Sequence, residues 1–215
     1  MTLFLLVRHG ENAWVNKHRL AGWLPGVHLN KNGHRQAKEA SLRLSSVPVE
    51  ALYSSPLTRC VETAEYFAAQ YKLPIIYHQE FGEVRYGDWE GKKVKQLAKK
   101  PQWRTVQFFP SRMRFPGGEA LREVQFRAVQ ALERLSESHQ GQTVMVVSHA
   151  DLLKLLLAHY LGTHIDLFQR IVISPASVSM LHLSEQGFVR VLRVNDDGPF
   201  EALKKPGKDK PGKKK

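Results

Sequence analysis

Leu3-Phe4-Leu5-Leu6-Val7, running directly into Arg8-His9-Gly10, is the stretch that decides the fold. Five apolar residues in a row, with no polar alternation, fit a strand covered on both faces, as in a parallel sheet wrapped by helices. The abrupt change to a guanidinium, an imidazole and a glycine marks the strand's end, and open α/β sheets collect their ligands at such ends. A second run of the same kind, Thr143-Val144-Met145-Val146-Val147, ends at Ser148-His149. Parallel, neighbouring strands would carry both histidines to one edge of the sheet.

The rest of the chain supplies the alternation that such a sheet requires. Residues 9–30, punctuated by Gly10, Gly22, Pro25 and Gly26, read as a long loop, and loops of that length inside compact domains are usually functional. Asn30 or Asn32 opens a helix to about residue 46, with Ala37, Ala40, Leu42 and Leu44 on or near its inner stripe. A short strand over 49–54 follows. Pro56 suits the first turn of a helix that runs to about residue 71, and the next strand is Ile75-Ile76-Tyr77. Over 80–118, glycines and prolines interleave with Trp89, Trp103, Phe108, Phe109 and Phe115, which reads as a loop, two short helices and a covering flap. A long helix is expected over 119–138 and another from Asp151 to about residue 161. Two late strands, 177–183 and 188–194, are joined by Glu185-Gln186-Gly187, which reads as a hairpin turn. The expectation is a three-layer α/β/α domain, doubly wound, with a mostly parallel sheet, an antiparallel element and a flap insertion. It spans residues 1–203.

Composition narrows the class. A hydrophobic fraction of 42% in 215 residues is that of a globular chain, and no apolar run reaches the ~18 residues of a membrane span. The single Cys60 excludes an intramolecular disulfide and a cysteine-rich metal site, so a cytoplasmic protein is expected, with Cys60 as a small buried residue. Half of the formal net charge of +12 lies in residues 204–215, where seven Lys accompany one Asp, two Pro and two Gly. That tail reads as disordered and solubilising, with weak contacts to anionic partners as the sharper reading.

No glycine-rich fingerprint follows a strand, and neither a phosphate loop nor a His-Glu-x-x-His helix is present. Neither cofactor nor catalytic metal is expected. What remains is two histidines at two strand ends, one of which can attack while the other stabilises charge. Arg8 adds a planar fork suited to phosphate oxygens.

Four separated segments, in order, resemble the histidine phosphatase superfamily in its phosphoglycerate-mutase-like branch. Leu6-Val7-Arg8-His9-Gly10-Glu11 resembles the N-terminal signature, with Asn16 and Gly22 near its continuation, and Tyr53-Ser54-Ser55-Pro56-Leu57-Thr58-Arg59 with Glu62-Thr63-Ala64 resembles the second arginine segment. Phe81 to Gly91 resembles the proton-donor segment and Val147-Ser148-His149-Ala150 the second histidine segment. The resemblance implies His9 as nucleophile, Arg8, Arg59 and His149 as the phosphate pocket, Asn16 as a lesser contact and Glu83 as general acid. From the residues alone, Glu80, Asp88 and Glu90 remain alternatives to Glu83, and Asn16 reads equally as a loop-capping residue. Asn12 departs from the pattern, standing where many members carry Thr.

The resemblance implies a metal-independent phosphomonoester hydrolase that works through a phosphohistidine and acts on a small phosphorylated metabolite. A cofactor-dependent phosphoglycerate mutase is the alternative. Such an enzyme needs a closed, basic lid, whereas residues 102–118 offer Phe108, Phe109, Met113 and Phe115 beside Arg104, Arg112 and Arg114. A protein of another class, an idle binder of anions or nucleic acid, would need only the tail and a vestigial pocket.

Overall fold

The first strand, β1 (Thr2–Arg8), sends its side chains alternately into two cores, Phe4 and Leu6 into one and Leu5 and Val7 into the other. All four are fully buried, as the unbroken apolar run requires. The computed structural model describes residues 1–184 and 186–198, without the side chain of Asn16. After β1 come α1 (Ala13–Asn16), α2 (Lys31–Arg43), β2 (Ala51–Ser54), α3 (Thr58–Tyr71) and β3 (Ile75–Tyr77). The chain continues through α4 (Val94–Leu97), α5 (Gln102–Phe108), α6 (Leu121–Ser138), β4 (Thr143–Ser148) and α7 (Ala150–Tyr160), and the described strands end with β5 (Val178–Leu183) and β6 (Val189–Asp196).

The six strands form one sheet in the order β3-β2-β4-β1-β5-β6. The β3-β2, β2-β4 and β4-β1 pairs are parallel, while β1-β5 and β5-β6 are antiparallel. The α/β expectation therefore holds, including its antiparallel element. In the register of β1 and β4, Arg8 lies beside Ser148, so the residues that follow, His9 and His149, leave the sheet side by side. One face of the sheet is covered by α2 and α3, where Ala40, Cys60, Ala64 and Phe67 meet Leu5, Val7 and Met145. The other is covered by α6, α7 and the segment before them, where Trp89, Phe115, Leu132 and Leu156 meet Phe4, Leu6 and Val146. At about 25 cal/mol per Å² of apolar surface removed from water, these two cores are the main stabilising term.

Several boundaries and one face differ from expectation. The loop over 9–30 contains a turn of helix, α1, because the buried Asn12 accepts the backbone N–H groups of Trp14 and Val15 through Oδ1 at 2.9 and 3.0 Å. A threonine could cap the same turn, which accounts for the departure noted at this position. Leu42, expected on the inner stripe of α2, is 60% exposed, since the buried side of that helix runs through Gly33, Ala37, Ala40 and Ser41. Pro56 lies outside α3, whose N-cap is the extended Leu57. Residues 80–118 hold α4, α5 and three short 3₁₀ turns, with Met113 and Phe115 buried and Phe108 and Phe109 exposed. Glu185 of the expected hairpin turn and the 204–215 tail lie outside the described residues. No helix among the described residues is long and apolar enough to cross a membrane.

Candidate active site

Strand β1 delivers Arg8 and His9 to the end of the sheet, and the chain must then turn under α2. Gly10 permits this, since a Cβ there would stand 2.5 Å from the carbonyl oxygen of Gly33. The turn is pinned from the other side, where Gly10 N–H donates to Thr63 Oγ1 at 3.0 Å and Thr63 in turn donates to the carbonyl of Arg59 at 2.7 Å. This ties the first strand end to the first turns of α3 and brings Arg59 over His9.

His9 is buried, and its Nδ1 lies 2.7 Å from the carbonyl oxygen of Gly10. A carbonyl can only accept, so Nδ1 carries the proton and Nε2 keeps its lone pair. Arg59 Nε–H donates to that Nε2 at 3.3 Å, and an Nη of the same guanidinium donates to Gly22 O at 2.9 Å. Burial, then the charges of Arg59 and Arg8, hold the His9 pKa well below the ordinary histidine value. The ring is therefore a neutral base at physiological pH.

Arg8 is anchored by Nη1–H to Ile173 O at 2.6 Å, while its Nε is buried with no partner among the described residues. His149, fully buried, is the N-cap of α7 and meets His9 edge-on, with ring centroids 5.2 Å apart. Its pKa is also pushed well down, first by burial and then by Arg59. The two rings, 140 residues apart in sequence, share one site with both arginines.

Glu83 lies after the 3₁₀ turn Gln79–Phe81, with Oε1 accepting the N–H of Val84 at 3.0 Å and Oε2 lying 3.8 Å from His149 Nδ1. Burial, followed by the charge of Asp151, raises its pKa to about 7 against the pull of Arg59 and Arg8. The segment is clamped by Arg127, which donates to the carbonyls of Glu80, Gly82 and Glu83 while its own charge is held by Glu119 at 2.9 Å. Trp23 Nε1–H donates to the Glu83 carbonyl as well, at 2.6 Å. Of the other carboxylates near in sequence, Glu80 pairs with Arg134 and Glu90 accepts from Trp23 N–H.

Arg8, His9, Arg59 and Glu83 border a cavity of about 140 Å³ whose opposite wall includes Tyr86 and Asp151. Tyr86 O–H donates to Asp151 at 2.9 Å, and Lys154 holds the second Asp151 oxygen at 3.2 Å. A larger surface groove of about 570 Å³, between α6 and the end of α7, lies apart from all these groups. Asn16 closes α1, its side chain outside the description. Sequence reasoning passed over Arg127, Trp23 and Asp151. Asp151 was legible only as a helix start, and nothing in the pattern of α6 distinguishes Arg127 from a solvated cation. Trp89 and Trp103 stack with centroids 6.2 Å apart, as packing residues. No group of three or more metal-ligating side chains occurs among the described residues.

The model of the histidine phosphatase superfamily (branch 1) matches residues 4–197. The chain belongs to this superfamily. As a histidine phosphatase it is 32% identical over 197 residues to phosphoserine phosphatase 1 of Hydrogenobacter thermophilus, covering 91% of this chain and 92% of that one. It is 31% identical to the metal-independent phosphoserine phosphatase of Arabidopsis thaliana, over 88% of this chain and 79% of the relative. Among solved structures, YhfR of Bacillus stearothermophilus superposes with a TM-score of 0.85 at 29% identity, covering 91% of this histidine phosphatase and 98% of the other chain. Family membership and these relatives make the chain a phosphomonoester hydrolase of the histidine phosphatase type.

Proposed function

We propose that the chain hydrolyses small phosphomonoesters at the cavity bordered by Arg8, His9, Arg59 and Glu83, with His9 Nε2 as nucleophile. The observation that carries this is the 2.7 Å bond from His9 Nδ1–H to Gly10 O, which leaves Nε2 unprotonated and directed toward the Arg59 guanidinium. An anion entering there meets two guanidinium groups. They offset charge as the phosphoryl group becomes planar, and their field also keeps His9 deprotonated.

In the first step, Nε2 attacks phosphorus and the ester P–O bond breaks. The departing alkoxide takes the proton of the Glu83 carboxyl, which a pKa of about 7 leaves about half protonated in neutral solution. In the second, a water attacks the phosphohistidine and gives its proton to the Glu83 carboxylate. The N–P bond breaks, inorganic phosphate leaves, and His9 and Glu83 return to their starting forms. His149 and Arg8 hold the phosphoryl oxygens throughout. Asn16 is proposed as a further contact from its place at the end of α1.

Phosphoserine is the first substrate to test, because two relatives carry that activity in their names and a cavity of about 140 Å³ suits an ester with a leaving group of a few heavy atoms. A cytoplasmic setting is proposed with it. The test is phosphate release from phosphoserine and from an aromatic phosphate ester, in the presence of a chelator. Release that is lost in His9→Ala is expected. Activity that survives His9→Ala, or efficient isomerisation of 3-phosphoglycerate without phosphate release, would overturn the reading.

A further inference from the structure

Beneath His149 lies a second ring of hydrogen bonds that the roles assigned above do not use. Ser55, fully buried at the end of β2, places Oγ 2.8 Å from His149 Nε2. The same Oγ accepts the backbone N–H of Leu57 at 3.3 Å, so one of its lone pairs is occupied and its single proton remains to be given. Two acceptors lie near it, His149 Nε2 and the sulfur of Cys60. The sulfur stands 3.5 Å from the carbonyl of Ser148, toward which its own S–H can be spent, and burial raises the Cys60 thiol to about 12, which keeps it protonated. Cys60 Sγ also lies beside the ring, 3.3 Å from His149 Nε2 and 3.8 Å from Nδ1, a longer and weaker contact than that of the Ser55 hydroxyl.

The opposite nitrogen, Nδ1, faces the site, 3.8 Å from Glu83 Oε2. A phosphoryl group bound there offers oxygens that accept and cannot donate, apart from its own acidic proton. An Nδ1 lone pair would repel such a group, whereas an Nδ1–H would hold it. Nε2 must then be the unprotonated nitrogen, and an unprotonated nitrogen in a fully buried place needs a donor.

We propose that Ser55 is a positioning residue, whose hydroxyl donates to His149 Nε2 and thereby fixes the ring as the Nδ1–H tautomer, a neutral hydrogen-bond donor to the phosphoryl group. The inference rests on the phosphatase reading but concerns only the second histidine. It assigns to Ser55 the task that Gly10 O performs for His9, with the sense reversed. A carbonyl leaves the nucleophile's far nitrogen bare, and a hydroxyl leaves its partner's far nitrogen protonated.

The experiment is nitrogen NMR of the full chain labelled at histidine, with inorganic phosphate as the probe, near neutral pH. His149 is assigned by comparison with His149→Gln. The expected result is a pyrrole-type signal for Nδ1 and a pyridine-type signal for Nε2. An Nε2-protonated or doubly protonated ring in the phosphate complex would overturn the proposal, whatever becomes of any other variant. Ser55→Ala is expected to populate both tautomers and to weaken inhibition by inorganic phosphate about tenfold, with Ser55→Thr restoring both. Unchanged tautomer and inhibition in Ser55→Ala would equally overturn it. Because His9→Ala tests the nucleophile independently, a failure here is distinguishable from a failure of the phosphatase reading.

Discussion

The imidazoles of His9 and His149 meet edge to face with centroids 5.2 Å apart, and both are held neutral by burial and by neighbouring arginines. Two buried bases this close cannot both be charged without a penalty, so the site is maintained at a cost that depends on pH.

That cost has a definite sign. The folded pKa of each ring is well below the unfolded value of 6.5, so below that pH the unfolded chain binds protons that the native state refuses, and stability falls as pH falls. Each ring contributes about 1.4 kcal/mol per pH unit in that range. Denaturant melts at pH 7 and pH 5 should show His9→Asn losing less stability between the two than the parent chain. Parallel losses would refute the neutral-ring assignment.

Glu83 acts in the opposite direction. Its folded pKa of about 7 is above the reference value of 4.5, so its contribution is intact below 4.5 and is lost as pH rises through 7. Glu83→Gln should therefore be more stable than the parent at pH 8, by roughly 3 kcal/mol, and show little difference at pH 4.5. Thermal melts at the two pH values decide this.

The same carboxyl predicts the rate profile. With Glu83 as the acid, kcat/KM should decline tenfold per unit once pH passes about 7, and Glu83→Gln should lower kcat by about 10²–10⁴ and remove that limb for esters with poor leaving groups. Aromatic esters, whose leaving groups need less protonation, should suffer less. Equal losses on both ester types would place the acid elsewhere.

Arg127 should matter through Glu83 without touching substrate. Its guanidinium holds the carbonyls of Gly82 and Glu83 at 3.1 and 3.0 Å and is itself held by Glu119. Arg127→Met strands these carbonyls and leaves Glu119 only the N–H of Arg85, which should cost about 3 kcal/mol of stability. Arg127→Lys, retaining charge but not the fork, should fold and lose kcat with KM little changed. A KM effect alone in the lysine variant would argue against positioning of the acid.

Much of this was legible because buried parallel strands advertise themselves. The two apolar runs ending at His9 and His149 placed both rings on neighbouring strands, and the observed register pairs Arg8 with Ser148 as that reading needs. Motif order pointed to Arg59 and Glu83, and both border the cavity beside His9. The support beneath them was not legible, because Arg127 and Trp23 act through backbone carbonyls whose positions exist only once the chain has folded. Leu42 shows the reverse failure. Its apolar character suggested a core place, yet it lies on the side of α2 opposite the buried Ala37, Ala40 and Ser41.

The sheet order leaves β4 and β1 innermost, with two strands to either side of them. Fraying that begins at β3 or at β6 must consume two whole strands before it disturbs the rings of His9 and His149. On heating, amides of β1 and β4 should exchange with solvent only through complete unfolding, and loss of turnover should coincide with the cooperative transition rather than precede it. The two imidazoles are thus lodged in the last part of the molecule to give way.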